Sequence, residues 1–188
     1  LCPPESFRRV CFRQAGRLDW DTLSGQLQQH EQVLCVVNSR KSAQEIFTRL
    51  SGEGNFHLST LMYPAHRRAK LEEIRRRLRE GLPCRVISTS LIEAGVDVDF
   101  PAVFREEAGL DSILQAAGRC NREGKRPVSE SIVTLFRGEA VPPPLFQTAI
   151  GAGRMVLEQY DDIASQEAIQ VYFHTLLELK GAEAQDIY

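Results

Sequence analysis

The sequence lacks the features that mark membrane, secreted or zinc-stapled proteins. Its longest unbroken apolar run, Val33–Val37, has five residues, too few to cross a bilayer. The amino terminus has no basic-then-apolar signal pattern, and because residue 1 is not Met we expect a trimmed chain or a piece of a longer one. The five cysteines are odd in number and form no C-x-x-C pair, which argues against a disulfide scaffold or a zinc finger. We therefore expect reduced thiols in a cytoplasmic protein without a metal site.

Charge is unevenly distributed along the 188 residues. The formal net charge is −2, yet residues 1–130 carry 20 Lys and Arg against 17 Asp and Glu, whereas residues 131–188 carry 3 against 8. The balance is +3 in the first part and −5 in the second, and we expect the two parts to differ in role.

Apolar periodicity alternates between strand and helix over most of the chain. Strands are predicted at 33–37, 56–61, 85–88, 102–105 and 131–136, with a further candidate at 7–13. Helices are predicted at 18–28, at 41–50, from Pro64 to a stop at Gly81, and from Ser112 with Asp111 as its cap. This order predicts an α/β fold: a mostly parallel sheet with helices on both faces and ligands at the carboxyl ends of its strands.

A proline-rich stretch at 139–144 reads as a stiff linker before two predicted helices, about 145–160 and 165–180. The predicted organisation is an α/β domain over residues 1–137 and a linker with a helical extension over 138–188.

Two stretches carry groups suited to phosphate chemistry. Gln115–Arg122 fits Q-x-x-G-R-x-x-R, and on a helix Arg119 and Arg122 would leave on one side, as a polyphosphate requires. Ile87–Asp99 places three hydroxyl residues after a strand, followed by a glycine turn and acids that could accept from ribose hydroxyls. Taken singly, each stretch also fits a plain structural role, as a solvated basic helix end or as a cap and turn.

Together these motifs resemble the second RecA-like domain of superfamily 2 helicases, and in detail the CRISPR-associated helicase-nuclease of type I systems. The resemblance covers roughly residues 30–137. It rests on Ser59-Thr60, on residues 64–67, 87–101 and 110–122, and on the Val-Leu-Cys-Val-Val-Asn-Ser strand and turn.

The resemblance implies a role for each matching residue. Arg119 and Arg122 would be arginine fingers reaching the γ-phosphate of ATP, with Gln115 near the attacking water. Asp97 would contact the ribose. Gly95 would shape the Asp97 loop, and Gly118 would allow close approach. A tracked single strand of DNA would be contacted by hydroxyl and amide side chains at strand ends: Thr89, Ser88, Asn38, Ser39, Ser59 and Thr60.

Several family motifs are missing from this sequence. It contains no G-x-x-x-x-G-K-[ST] loop, no D-E-x-H or D-E-A-D box and no His-Asp dipeptide. ATP and Mg²⁺ would therefore be held mainly by a first RecA-like domain absent from this chain, and the nuclease domain is absent too. Ala116 replaces an arginine that many relatives carry. The isolated chain is predicted to be inactive alone.

The overall prediction is the C-terminal half of an ATP-dependent DNA helicase of CRISPR defence, working with its first RecA-like domain, a nuclease domain, single-stranded DNA and an RNA-guided surveillance complex. Two alternatives stay open: another superfamily 2 helicase, or a non-enzymatic nucleic-acid- or protein-binding module. The arginine-rich stretch 67–79 is interleaved with acids, which favours a solvated helix face over a DNA-binding one.

Overall fold

The computed structural model describes residues 9–59, 62–89 and 97–185, which form two compact units. The first comprises the described part of Leu1–Glu106 together with Gln115–Ala140, and the second comprises Glu107–Leu114 and the described part of Val141–Tyr188. Within the described residues, no helix combines the length and apolar content needed to cross a bilayer.

Six parallel strands form the sheet of the first unit. Their bounds are β1 Cys11–Arg17, β2 Gln32–Val36, β3 Asn55–Leu58, β4 Cys84–Ser88, β5 Ala102–Glu106 and β6 Ile132–Arg137. The helices along the chain are α1 Trp20–Gln28, α2 Arg40–Arg49, α3 Pro64–Glu80, α4 Leu110–Ala117, α5 Pro144–Gln159 and α6 Gln166–Gln185. The strand order is β1-β6-β5-β2-β4-β3, and every pairing is parallel. The predicted α/β class is confirmed.

The central position of β2 follows from its composition. Val33, Cys35 and Val37 point to one face of the sheet and Leu34 and Val36 to the other, and all five are at most 2% exposed. A strand that is apolar on both faces is stable only where both faces are covered, as in a parallel α/β sheet. Helices α1 and α2 cover one face and share a core cluster with the odd-numbered side chains of β2.

Local capping signals set the helix ends. Ser39 caps α2 by accepting from the Ser42 amide at 3.1 Å, and Asp19 caps α1 in the same way through Thr22 at 2.6 Å. Pro64 occupies the first turn of α3, and Gly81 ends that helix with φ +68°, a conformation that glycine adopts without strain. The predicted bounds of α3 are confirmed.

Three details differ from the sequence-based expectations. Strand β1 is Cys11–Arg17 rather than 7–13, of which residues 7 and 8 lie outside the described part. Helix α4 begins at Leu110 and ends at Ala117. Arg119 and Arg122 therefore lie beyond the helix, and the prediction that they project from one helical side is wrong. Cys11 is disulfide-bonded, so the expectation of reduced thiols fails there, whereas Cys35, Cys84 and Cys120 are buried free thiols.

The second unit is built around Tyr172 and an ion pair. Tyr172 is 1% exposed, and its hydroxyl donates to Asp111 at 3.3 Å. Burial and the Asp111 carboxylate raise the pKa of Tyr172 to about 12. Arg154 of α5 makes two hydrogen bonds to the Glu107 carboxylate, at 2.8 and 2.6 Å, a fork-to-fork geometry that fixes α5 against the segment following β5.

Candidate functional site

The predicted arginines lie in a turn at the amino ends of the strands. Phe100, two residues before β5 begins, donates from its amide to the Arg119 carbonyl at 2.8 Å and accepts from the Asn121 amide at 3.1 Å. This bridge holds residues 119–121 beside the start of β5. The expectation that the arginines gather with the other polar residues at the carboxyl ends is therefore wrong, because α4 leaves the carboxyl end of β5 and its chain returns to the opposite edge.

Asn121 fixes the turn that carries these arginines. It is 1% exposed and has φ +50°, a left-handed conformation that asparagine tolerates better than most residues. Its side-chain amide donates to the carbonyls of Arg9 at 2.8 Å and Arg126 at 2.9 Å, and accepts from the Arg126 amide at 3.0 Å. Asn121 thus connects the turn to the segment before β1.

Arg122 and Arg126 face two aspartates. The Arg122 guanidinium lies 3.3 Å from the Asp97 carboxylate, and its backbone amide donates to Asp99 at 2.9 Å. Arg126 also binds Asp99, at 3.1 Å. The Arg122 side chain is 38% and that of Asp97 73% exposed, so their ion pair is a weak, solvent-screened contact that a stronger anion could replace.

Arg119 completes a compact charged group, here called the arginine cluster: Arg119, Arg122 and Asp97. Burial lowers the pKa of Arg119 first, the positive charge of Arg122 lowers it further, and Asp97 opposes both effects. The charges of Arg122 and Asp97 thus act on Arg119 in opposite directions, with burial as the larger cause. Guanidinium groups are the side chains best suited to an anion with several charged oxygens.

Two further predicted residues lie near the arginine cluster in the chain. Gln115 is exposed in the last turn of α4, and Gly118 is exposed in the turn before Arg119. Gly95 lies outside the described residues. Beside the cluster, a cleft of about 570 Å³ is lined by Arg75, Leu78, Arg79, Asp97, Val98, Asp99, Glu123 and Arg126. Across the described ranges, no group of three His, Cys, Asp or Glu residues could hold a metal ion.

The predicted strand-contacting residues lie at the other edge of the sheet. Ser59 follows β3, Ser88 ends β4 and Thr89 follows it. Ser88 is 2% exposed, whereas Thr89 is half-buried and its Oγ1 is a buried atom with no hydrogen-bond partner. An unsatisfied buried hydroxyl is costly, and a phosphate oxygen is one group that would satisfy it. Thr60 lies outside the described residues.

Asn38 and Ser39 follow β2 at this same edge, and both are partly exposed. The Asn38 amide donates to the Glu106 carboxylate at 2.8 Å, while Arg105 donates to Asn38 Oδ1 at 2.9 Å. The Ser39 hydroxyl is engaged in capping α2. The structure thus brings Asn38, Ser39, Ser59, Ser88 and Thr89 to the carboxyl edge and the arginine cluster to the amino edge. A strand of five residues separates the edges, about 17 Å.

Sequence reasoning missed the residues that hold both groups in place. Asn121 and Arg126 fix the arginine turn, and nothing in the spacing of Q-x-x-G-R-x-x-R marks them. Arg105 and Glu106 could have been found from the sequence. They are adjacent charged residues at the end of β5, and the apolar residues that begin β5 predict that the strand is buried. Buried charges of this kind require specific partners, and here they hold Asn38.

Comparison with known proteins gives concordant results. A family model described as the CRISPR-associated nuclease/helicase Cas3, C-terminal, matches residues 29–125, just over half of the chain. The Cas3 protein of Methanothermobacter thermautotrophicus is 28% identical over 134 residues, which are 69% of this chain and 16% of that protein.

Solved structures share the fold at low sequence identity. The crystal structure of T. fusca Cas3 with ATP gives a TM-score of 0.72 at 14% identity, over 98% of this chain and 26% of that one. A chain of a CRISPR RNA-guided surveillance complex in a pre-nicking state gives 0.65 at 15% identity, over 94% of this chain and 28% of that one. These likenesses show a RecA-like α/β fold, and this chain spans about a quarter of each solved chain.

Proposed function

Because the chain belongs to the family of the C-terminal part of the CRISPR-associated nuclease/helicase Cas3, we propose that it is the second RecA-like half of an ATP-dependent DNA helicase. In this role it supplies arginines to an ATP molecule held by a first RecA-like domain and grips one DNA strand. Such a protein belongs to superfamily 2 and acts in CRISPR defence by translocating along single-stranded DNA.

The observation that supports this role best is the arginine cluster. Phosphoryl transfer needs positioning and positive charge at the phosphate oxygens more than it needs covalent help from the protein. Arg119 and Arg122 lie in one turn, and the contact of Arg122 with Asp97 is solvent-exposed, so two guanidinium groups would be available to the oxygens of a triphosphate. Asp97 would exchange its exposed contact with Arg122 for a ribose hydroxyl.

A fixed turn suits this role because an arginine finger must be rigid before it meets its substrate. Asn121 is buried and fully engaged, and Asp99 accepts from the Arg122 backbone amide, so the turn needs little reorganisation when the phosphates arrive. Gln115, in the last turn of α4 before Arg119, would orient the attacking water. Gly118 and Gly95 would allow their loops to approach the nucleotide closely.

The carboxyl edge provides the proposed grip on DNA. Its hydroxyl and amide groups suit phosphates and sugars, which any sequence presents, rather than base edges. Thr89 is the principal contact in this proposal because its Oγ1 lacks a partner in the described structure. Asn38, Ser39, Ser59 and Thr60 would extend the path along the strand ends, with Ser88 supporting Thr89 from β4.

In this proposal, the other domains of the helicase and its partners lie outside this chain. A first RecA-like domain would carry the phosphate loop and the acidic residues for Mg²⁺, because neither motif occurs in this sequence. A nuclease domain and an RNA-guided surveillance complex would be further partners. The helical unit formed with α5 and α6 would begin the accessory region that follows the motor.

Substitution of the two arginines tests the proposal. In the complete helicase, Arg119→Ala and Arg122→Ala are each expected to lower DNA-stimulated ATP turnover by about 10³-fold, the scale of a lost arginine finger. Arg68→Ala removes an exposed arginine from α3 and is the matched control, expected to leave turnover within twofold, as a surface change does. Near-normal turnover in both arginine variants would remove the assignment.

Two further measurements separate the proposal from its alternatives. The isolated chain should show no DNA-stimulated ATPase activity. ATPase activity that co-purifies with the chain through several columns would contradict the proposal that another domain holds ATP and Mg²⁺. The complete protein should bind a DNA-loaded surveillance complex. Helicase activity without such binding would indicate a superfamily 2 helicase of another system.

A further inference from the structure

We infer that Arg105 and Glu106, the last two residues of β5, are positioning residues that orient Asn38 for a phosphate of the bound strand. The inference rests on the proposed contact between Asn38 and nucleic acid. It goes beyond that contact because neither Arg105 nor Glu106 reaches the surface: they are 6% and 4% exposed.

The two charged side chains hold Asn38 at two different points. Glu106 Oε2 accepts from the Asn38 backbone amide at 2.8 Å, which fixes where the chain leaves β2. Arg105 Nη1 donates to Asn38 Oδ1 at 2.9 Å and to the Val36 carbonyl at 3.3 Å. Backbone and side chain of one residue are thus held by neighbouring residues of the adjacent strand, with which β2 is paired at Val36 and Arg105.

Burial of two charges at this position is costly, so their retention calls for a reason. Moving an ion out of water costs several kcal/mol, and apolar residues of similar volume usually stabilise a fold as well or better. The surroundings are shaped for the pair: a Cβ at Gly138 would lie 2.7 Å from Glu106 Oε1 and 2.6 Å from the Trp20 ring, so only glycine leaves room there. The effect that we assign to the buried Arg105 and Glu106 side chains is to fix the position and orientation of the partly exposed Asn38.

Arg105 determines which way round the side-chain amide group of Asn38 lies. With Oδ1 on Arg105, the nitrogen Nδ2 occupies the other branch of the planar amide group. A phosphate oxygen accepts hydrogen bonds and is repelled by a carbonyl oxygen, so the two orientations of the amide are not equivalent for a nucleic acid. Arg105 thus selects which of the two amide atoms faces it, and Glu106 fixes the backbone position of Asn38. In the inference, the nitrogen left by this choice is the donor offered to a phosphate.

The substitution Asn38→Asp separates orientation from stability. Asp keeps an oxygen for Arg105 but replaces the donor by a second, negatively charged oxygen. We expect Asn38→Asp to melt no lower than the original chain, while its affinity for a fluorescein-labelled oligo-dT strand, read by anisotropy at fixed salt, falls about tenfold or more. Asn38→Ala is expected to lose affinity as well. A variant Asn38→Asp that binds DNA normally would overturn the inference.

A double-substitution cycle tests whether Arg105 acts through Asn38. Arg105→Lys keeps a buried cation, but its shorter side chain places the ammonium away from the position of Arg105 Nη1, which donates to both the Asn38 and Val36 oxygens. Arg105→Met removes the charge. Each should weaken DNA binding about tenfold in the original chain and not at all in the Asn38→Ala background. Additive losses would overturn the inference. If Arg105→Met fails to fold, Arg105→Lys, checked by its melting temperature, decides the matter.

The two possible failures are distinguishable. If Asn38→Ala binds the strand as well as the original chain, the proposed nucleic-acid contact fails and the inference fails with it. If Asn38→Ala loses affinity but both Arg105 variants keep it, the contact stands and only the positioning role is wrong. In the complete helicase, the DNA concentration for half-maximal ATPase should rise in Arg105→Lys much more than the maximal turnover at saturating DNA falls, a split that general loss of structure would not produce.

Discussion

Replacing Asn121 by alanine should destabilise the first unit more than any exposed substitution in it. The change removes two hydrogen bonds donated to main-chain carbonyls and one accepted from a main-chain amide, all at a residue that is 1% exposed. Each unpaired buried group costs about 1–3 kcal/mol, part of which water recovers by entering the vacated space. Alanine must also adopt φ +50°, which adds about 1 kcal/mol. The expected loss is about 3–4 kcal/mol.

Urea unfolding, followed by circular dichroism and analysed with a common slope, measures this loss. Asn121→Gly removes the same hydrogen bonds but tolerates φ +50°, so it should be about 1 kcal/mol less damaging than Asn121→Ala. Gln28→Ala is the matched control because that side chain also donates to a main-chain carbonyl and accepts from a main-chain amide, both of Ser51, but in solvent-exposed positions; it should cost under about 1 kcal/mol. A loss below that of the control would refute the hydrogen-bond reasoning, and equal alanine and glycine variants would refute the conformational part.

Further predictions concern other parts of the chain. Gly54→Ala should lower the melting temperature far more than Gly81→Ala, because both have positive φ but a Cβ at Gly54 would lie 2.0 Å from a carbonyl oxygen, whereas Gly81 faces open space. Burial, and then nearby arginines, lower the pKa of His30 below 6.5 in the folded chain, so the unfolded state binds its proton first and stability should fall as pH drops below about 6.5. His30→Gln should flatten that part of the stability–pH curve, and an unchanged curve would contradict this. Tyr172→Phe should cost about 1 kcal/mol in thermal unfolding through loss of its hydrogen bond to Asp111, and no measurable loss would mean that the hydroxyl is equally well hydrated when unfolded.

The parts of the fold that were predictable from the sequence are those with a strong periodic or capping signal. The apolar run at β2 and the interval from Pro64 to Gly81 specify a buried strand and a capped helix on their own. Strand β1 was displaced because alternating basic and apolar residues continue on both sides of Cys11, so no local signal marks its start. Its bounds are set by pairing with β6, which is far away in the chain.

The candidate site was predictable in composition but not in arrangement. The spacing of Arg119 and Arg122 indicated two guanidinium groups acting together, yet it also suggested a continuous helix. The helix ends at Ala117 because the next residues pair with Phe100, a contact between distant positions that spacing cannot reveal. The roles of Asn121 and Arg105 depend on partners more than 60 positions away in the chain and had to be read from the structure.

In the proposed function, the parallel sheet is the rigid connection between the arginine cluster at its amino edge and the strand-contacting residues at its carboxyl edge. A slab of buried strands about 17 Å long does not deform easily, so in this proposal a displacement of the arginine turn moves the strand ends with it.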